Sequence, residues 1–111
     1  MAPGKAVDAA LFLKDRLGDR GVGVSKIILF GSRARGRADD ESDIDLIVVS
    51  EDFRNRDIFE RAELIGDVEY LTVKQYKIPI DLFLKTPEEI EEGASVTADF
   101  AAREGVVVWA A

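Results

Sequence analysis

Asp43 and Asp45 flank Ile44 at the mouth of the apolar run Ile44–Val49, and Asp81 interrupts the apolar stretch Ile78-Pro-Ile-Asp-Leu-Phe-Leu84. Alternate residues of a strand share a face. Asp43 and Asp45 therefore project together, while Ile44, Leu46 and Val48 pack on the other side. Two adjacent carboxylates repel unless a cation lies between them, and a divalent metal is the economical remedy. The competing reading is a pair of solvated acids at a loop edge. Asp81 falls opposite Ile80 and Leu82, and a central strand seldom carries an acid without a use for it. If that strand lies beside Ile44–Val49, Asp81 completes a three-carboxylate site fit for two Mg²⁺ ions about 3.5–4 Å apart. The plainer alternative is an edge-strand acid facing water, which Pro79 favours.

A second feature precedes these acids. The strand-like Lys26–Phe30 runs into Gly31-Ser32 at the start of a helical turn. Glycine lets the backbone approach a ligand closely, and free amides at a helix start point toward an anion. Ser32 adds a hydroxyl donor at the same place. On this feature alone an ordinary strand-to-helix turn with a serine cap is the better account of the residues.

The composition narrows the chemistry further. There is no cysteine and no histidine, which excludes disulfides, structural zinc, thiol nucleophiles and imidazole acid–base work. Catalysis must rest on carboxylates, hydroxyls, amines or metals, and the metals are hard cations, Mg²⁺ with Mn²⁺ as its substitute. A net charge of −7, from 22 acidic and 15 basic side chains, argues against long RNA or DNA as a direct ligand. A small polyanion such as ATP stays compatible, because a metal and a few local arginines offset its charge. The length of 111 residues suggests one domain spanning residues 1–111. With no leader sequence visible and no apolar run near the roughly 20 residues that span a bilayer, the expected location is the cytoplasm, without a membrane.

The elements that must position these side chains read as α-β-α-β-α-β-α-α-β. Val7 to Leu17 is expected to be a helix using Val7, Ala10, Leu11, Leu13 and Leu17, ended by Gly18, Gly21 and Gly23. Lys26–Phe30 is a strand, residues 32–35 a helical turn, and Ile44–Val49 a strand buried on both faces. A helix from about Arg56 places Ile58, Phe59, Ala62, Ile65, Val68, Leu71 and Thr72 on one side, with a break near Gly66 as the alternative. Ile78–Leu84 is the third strand. Thr86-Pro-Glu-Glu89 is a capping box opening a short helix to Glu92. Ala98–Glu104 reads as helix and Val106–Trp109 as a fourth short strand. The expected architecture is α/β in the α+β sense, a small mixed sheet of about four strands covered by helices.

Gly31-Ser-Arg-Ala-Arg-Gly36 followed by Ser42-Asp-Ile-Asp-Leu46 resembles the signature of the nucleotidyltransferase superfamily related to DNA polymerase β, and most closely its minimal nucleotidyltransferase (MNT) group. The likeness extends to Ile80–Glu89 and to the closing Arg103–Val108. It implies that Gly31 and Ser32 hold a triphosphate, that Asp43 and Asp45 bind the metals, and that Asp81 is the third carboxylate, helping to activate the acceptor hydroxyl. Arg35 either meets phosphate or pairs with a nearby acid, and Arg33 stands at a variable motif position. The implied reaction is transfer of a nucleoside monophosphate, AMP from ATP, with release of pyrophosphate. MNT proteins pair with HEPN-domain proteins in toxin–antitoxin modules, as antitoxins that adenylylate their partner. That makes a HEPN partner the expected acceptor and leaves a homo-oligomer open. The competing class is a non-catalytic module that neutralises a partner by contact. A third, modification of a small molecule such as an aminoglycoside, lacks an acceptor domain in this chain.

Overall fold

The computed structural model describes residues 4–31, 43–92 and 105–111. Its elements are helix α1 (Gly4–Asp19), strand β1 (Val24–Phe30), strand β2 (Ile44–Ser50), a 3₁₀ turn (Glu51–Phe53), helices α2 (Ile58–Ile65) and α3 (Val68–Tyr76), strand β3 (Ile80–Lys85), helix α4 (Pro87–Glu92) and strand β4 (Val106–Ala110). The turn expected for Ser32–Arg35 and the helix expected for Ala98–Glu104 lie outside the described residues.

The four strands form one mixed sheet in the order β3-β2-β1-β4. β1 runs antiparallel to both β2 and β4, and β2 runs parallel to β3. The unbroken apolar run of β2 explains its inner place: Ile44, Leu46, Ile47, Val48 and Val49 are all buried, as a strand covered on both faces requires. Ile44, Leu46 and Val48 join Ile27 and Leu29 of β1 in a core packed against α1 and α3. Ile47 and Val49 face the other way, with Ile28, Phe30, Phe83 and Ile90.

α1 begins at Gly4, earlier than the Val7 that its apolar spacing predicts, and its buried stripe is rotated. Ala6, Ala9, Ala10, Leu13 and Leu17 are buried, whereas Leu11 is 36% exposed. Positions 6, 9, 10, 13 and 17 make a stripe at helical spacing. Its small alanines let the helix approach the sheet, so size alone misidentifies Leu11 as a core residue.

The second helical stretch follows the alternative that the sequence leaves open, a break at Gly66 into two helices. Gly66 closes α2 at φ 58°, ψ −127°, and its amide donates to the carbonyls of Ala62 and Glu63. The bend turns the two halves of the apolar stripe apart: Ile65, Val68 and Thr72 are buried, while Ile58 and Phe59 are 74% and 77% exposed. Asp57 caps α2 with a reciprocal Glu60 bond, which fixes the start of the helix. β3 starts at Ile80, two residues later than expected. Pro79 stays outside the strand, and its carbonyl accepts the Ile44 amide at 3.0 Å. The Thr86 capping box forms as the sequence implies, with Glu89 amide to Thr86 hydroxyl at 3.1 Å and Thr86 amide to Glu89 carboxylate at 2.8 Å.

Candidate active site

Sheet register assembles the acidic residues. Asp45 lies directly across from Asp81 on the parallel β2–β3 pair, and across from Phe30 on the antiparallel β1–β2 pair. Alternation along β2 sends Asp45 to the face shared by Ile47 and Val49, away from α1 and α3. Asp81 follows the same rule, exposed between buried Ile80 and half-buried Leu82.

The Asp45 and Asp81 side chains are within hydrogen-bonding reach of each other, and the Asp45 carboxyl is pushed up to about 6. Partial burial is the main cause, followed by the Asp81 charge and contact, then the charge of Asp43. Asp43 is exposed and sits just before β2, so it acts on Asp45 through its field. Among the described residues no three acidic side chains converge closely enough to enclose an ion. Asp45 and Asp81, with Asp43 nearby, form an acidic cluster in which burial and then mutual charge hold the Asp45 carboxyl above its ordinary range.

Gly31 has a steric role here. Its φ of +77° lies in the left-handed region, and a Cβ built on it would run into the Asp45 carboxylate. Glycine thus clears the space in which that carboxylate stands at the end of β1. Ser32 and Arg35, the other residues expected to hold nucleotide, lie outside the described residues, as does Arg33.

Sequence reasoning missed Glu69. This α3 residue is half-buried, and its carboxyl is raised by burial and by the charge of Asp81. It lines a cavity of about 300 Å³ between α2 and the outer edge of β3, together with Ile58, Arg61, Ile65, Leu82 and Leu84. Its one signal is a helical position turned toward β3, which shows only once the helix is broken at Gly66. Arg61 closes one end of this cavity: it donates to the Leu84 carbonyl at 2.9 Å and to Glu89 at 2.7 Å, with its side chain only 12% exposed.

These features, a four-stranded mixed sheet with paired strand carboxylates against a left-handed glycine, define a nucleotidyltransferase-like domain. The pattern of the nucleotidyltransferase domain family matches residues 11–107, and the chain belongs to that family. A candidate protein adenylyltransferase of Methanocaldococcus jannaschii is 35% identical over 77 residues, 69% of this chain. The chain spans about half the length of that relative. A crystal structure of a toxin–antitoxin with AMP-PNP superposes with a TM-score of 0.66 at 21% identity, covering 95% of this chain and 73% of the other. A chain from the complex of tri-AMPylated Shewanella oneidensis HEPN toxin with MNT antitoxin gives a TM-score of 0.55 at 21% identity, covering 93% and 73%. At these identities the two structures establish the shared fold. No helix among the described residues is long and apolar enough to cross a membrane.

Proposed function

We propose that this chain transfers AMP from ATP to a hydroxyl group of a partner protein, in a metal-dependent reaction at Asp43, Asp45 and Asp81. The register that sets Asp45 beside Asp81, with Gly31 clearing the space between strands, is the observation that carries this reading. The family membership and the adenylyltransferase relative support it.

In this reading Gly31 and Ser32 receive the triphosphate, with Arg35 beside it, and Asp43, Asp45 and Asp81 would hold Mg²⁺. When bound, Mg²⁺ would supply the positive charge that neutralises the phosphates. Asp81 accepts the proton of the acceptor hydroxyl. The freed oxygen attacks the α-phosphorus in line, a new P–O bond forms, and the bond to the bridging oxygen breaks so that pyrophosphate leaves.

The partner proposed is a HEPN-domain toxin, with this chain as its antitoxin, on the example of the Shewanella oneidensis complex. Exposed Ile58, Phe59 and Tyr70 give apolar surface that such a partner would cover. The test is incubation with ATP, Mg²⁺ and the product of the adjacent gene, followed by intact-mass measurement. A gain of one or more AMP units on the partner is expected. An unmodified partner that is nevertheless bound and neutralised would establish the second reading, a non-catalytic nucleotide-binding module.

A further inference from the structure

A concave feature that the carboxylate site does not use lies between α1 and α3. It has a volume of about 590 Å³ and is lined by Phe12, Arg16, Leu71, Lys74, Gln75 and Lys77. Three cations and no carboxylate line it among the described residues, on a chain whose net charge is −7. Arg16 shares its charge with exposed Asp19 at 3.6 Å, and among the described residues neither Lys74 nor Lys77 has an ion-pair partner.

We propose that this cleft docks an acidic, apolar-anchored segment of a partner protein. The lining combines exposed charge with apolar surface: Arg16, Lys74 and Lys77 are exposed, and Phe12 and Leu71 are half-buried. Complementary charge attracts and orients such a segment, and an apolar side chain seated on Phe12 and Leu71 fixes its register. The acidic remainder of the surface discourages any other placement of a negative segment. The guanidinium of Arg16 lies 5.2 Å from the Phe12 ring centre and Tyr76 meets the same ring edge-on at 5.8 Å, contacts that hold the ring in place in the lining. Nucleic acid fits less well, because an extended polyphosphate spreads its charge past the three cations onto the acidic remainder of the chain, whereas a short segment keeps its acids beside them.

The cleft is remote from the carboxylates in a definite sense. Residues of α1 and α3 that touch the sheet, such as Leu13, Leu17, Val68 and Val73, cover the face of Leu46 and Ile80. Asp45 and Asp81 point to the opposite face. Phe12 and Arg16 are off the buried stripe of α1, so the cleft opens on the outer side of the helical layer. A segment docked there leaves the acidic site open. Docking is therefore separable from the transfer reaction proposed above, and it is measured without ATP.

The experiment uses the full chain and a fluorescein-labelled helical peptide of glutamates with leucine at every third and fourth position, followed by fluorescence anisotropy. Saturable binding that weakens as salt rises is expected, because exposed charges are screened over about 8–10 Å. The double variant Arg16→Glu/Lys74→Glu changes two side chains off the buried core, and it should bind at least about tenfold more weakly while keeping the wild-type circular dichroism spectrum. Lys74→Gln should give a smaller loss in the same direction. No binding by the wild type, unchanged binding by both variants, or tighter binding of an oligothymidylate of matching length would each overturn the proposal. Absence of AMP transfer with peptide binding intact would count only against the proposed reaction.

Discussion

Replacing Gly31 with alanine separates the demands of the backbone from those of the site. The residue sits at φ +77°, where an alanine costs about 1–2 kcal/mol in backbone strain. The added Cβ also meets the Asp45 carboxylate, so that side chain must move. Strain of this kind at one residue amounts to about 1–3 kcal/mol, against roughly 5–15 kcal/mol for a domain of ordinary stability. The variant should therefore fold, with a melting temperature lower by roughly 4–8 °C for each kcal/mol lost. Activity should suffer far more. Moving a carboxylate by about 1 Å from its working position costs on the order of 10²-fold in rate. Gly66→Ala is the control. Its φ of +58° also favours glycine, with ψ −127° making an alanine there at least as strained, and the atoms nearest the new Cβ belong to the guanidinium end of Arg20 and not to Asp45. Thermal melts and intact-mass transfer assays are made on both variants. If Gly31→Ala transfers AMP at more than about half the wild-type rate, the close approach of Gly31 to a working Asp45 is refuted. The idea fails equally if Gly66→Ala loses as much activity as Gly31→Ala.

Other perturbations probe the same carboxylates and their surroundings. Folding raises the Asp45 carboxyl from 3.8 to about 6, so the folded chain holds more protons than the unfolded one between those values. The associated stability is complete below pH 3.8 and is lost as pH rises through about 6. Asp45→Asn should thus melt higher than the metal-free wild type at pH 7 and no higher near pH 4, and a gain at both pH values would deny the carboxylate pairing. Mg²⁺ should raise the melting temperature of the wild type at pH 7 and leave Asp45→Asn unchanged, and equal shifts in both would place the ion elsewhere. Asp81→Asn should lower the rate of transfer more than the affinity for ATP, measured by kinetics and calorimetry, whereas equal losses would make Asp81 chiefly a metal ligand. Arg61→Ala removes bonds to Leu84 and Glu89 from a side chain nearly out of solvent, and should destabilise the chain by about 2–3 kcal/mol in denaturant melts. Arg61→Lys should recover only part of that, since an ammonium can replace the single Nη1 that serves Leu84 and Glu89 but not the Nε–H bond to the Arg56 carbonyl.

The elements legible in the sequence share a cause: a single local rule decides each. β2 shows itself by an apolar run that suits burial on both faces, and α4 by the reciprocal Thr86–Glu89 cap. The stripe of α1 is harder, because Ala6 and Ala9 carry little hydrophobic weight individually and gain their meaning from the sheet they approach. The long-helix expectation fails at Gly66, where one residue with a left-handed φ outweighs the apolar neighbours at helical spacing. Sheet order lies beyond local reading, since nothing within β1 or β2 states that they run antiparallel while β2 and β3 run parallel.

That missing information bears directly on the site. By spacing alone Asp43 and Asp45 are equal partners, because strand alternation treats them alike. In the fold they differ. Asp45 is inside β2, opposite Asp81 and against Gly31, while Asp43 is exposed ahead of the strand and reaches the pair through its charge. The long-range pairing of β2 with β3, about 36 residues apart in the chain, therefore does more for the chemistry than the short Asp-x-Asp spacing. A lone Asp-x-Asp at a strand mouth specifies two acids on one side. The parallel neighbour adds the third acid and, together with burial, raises the Asp45 carboxyl, so it is this pairing and not the spacing that the proposed metal site rests on.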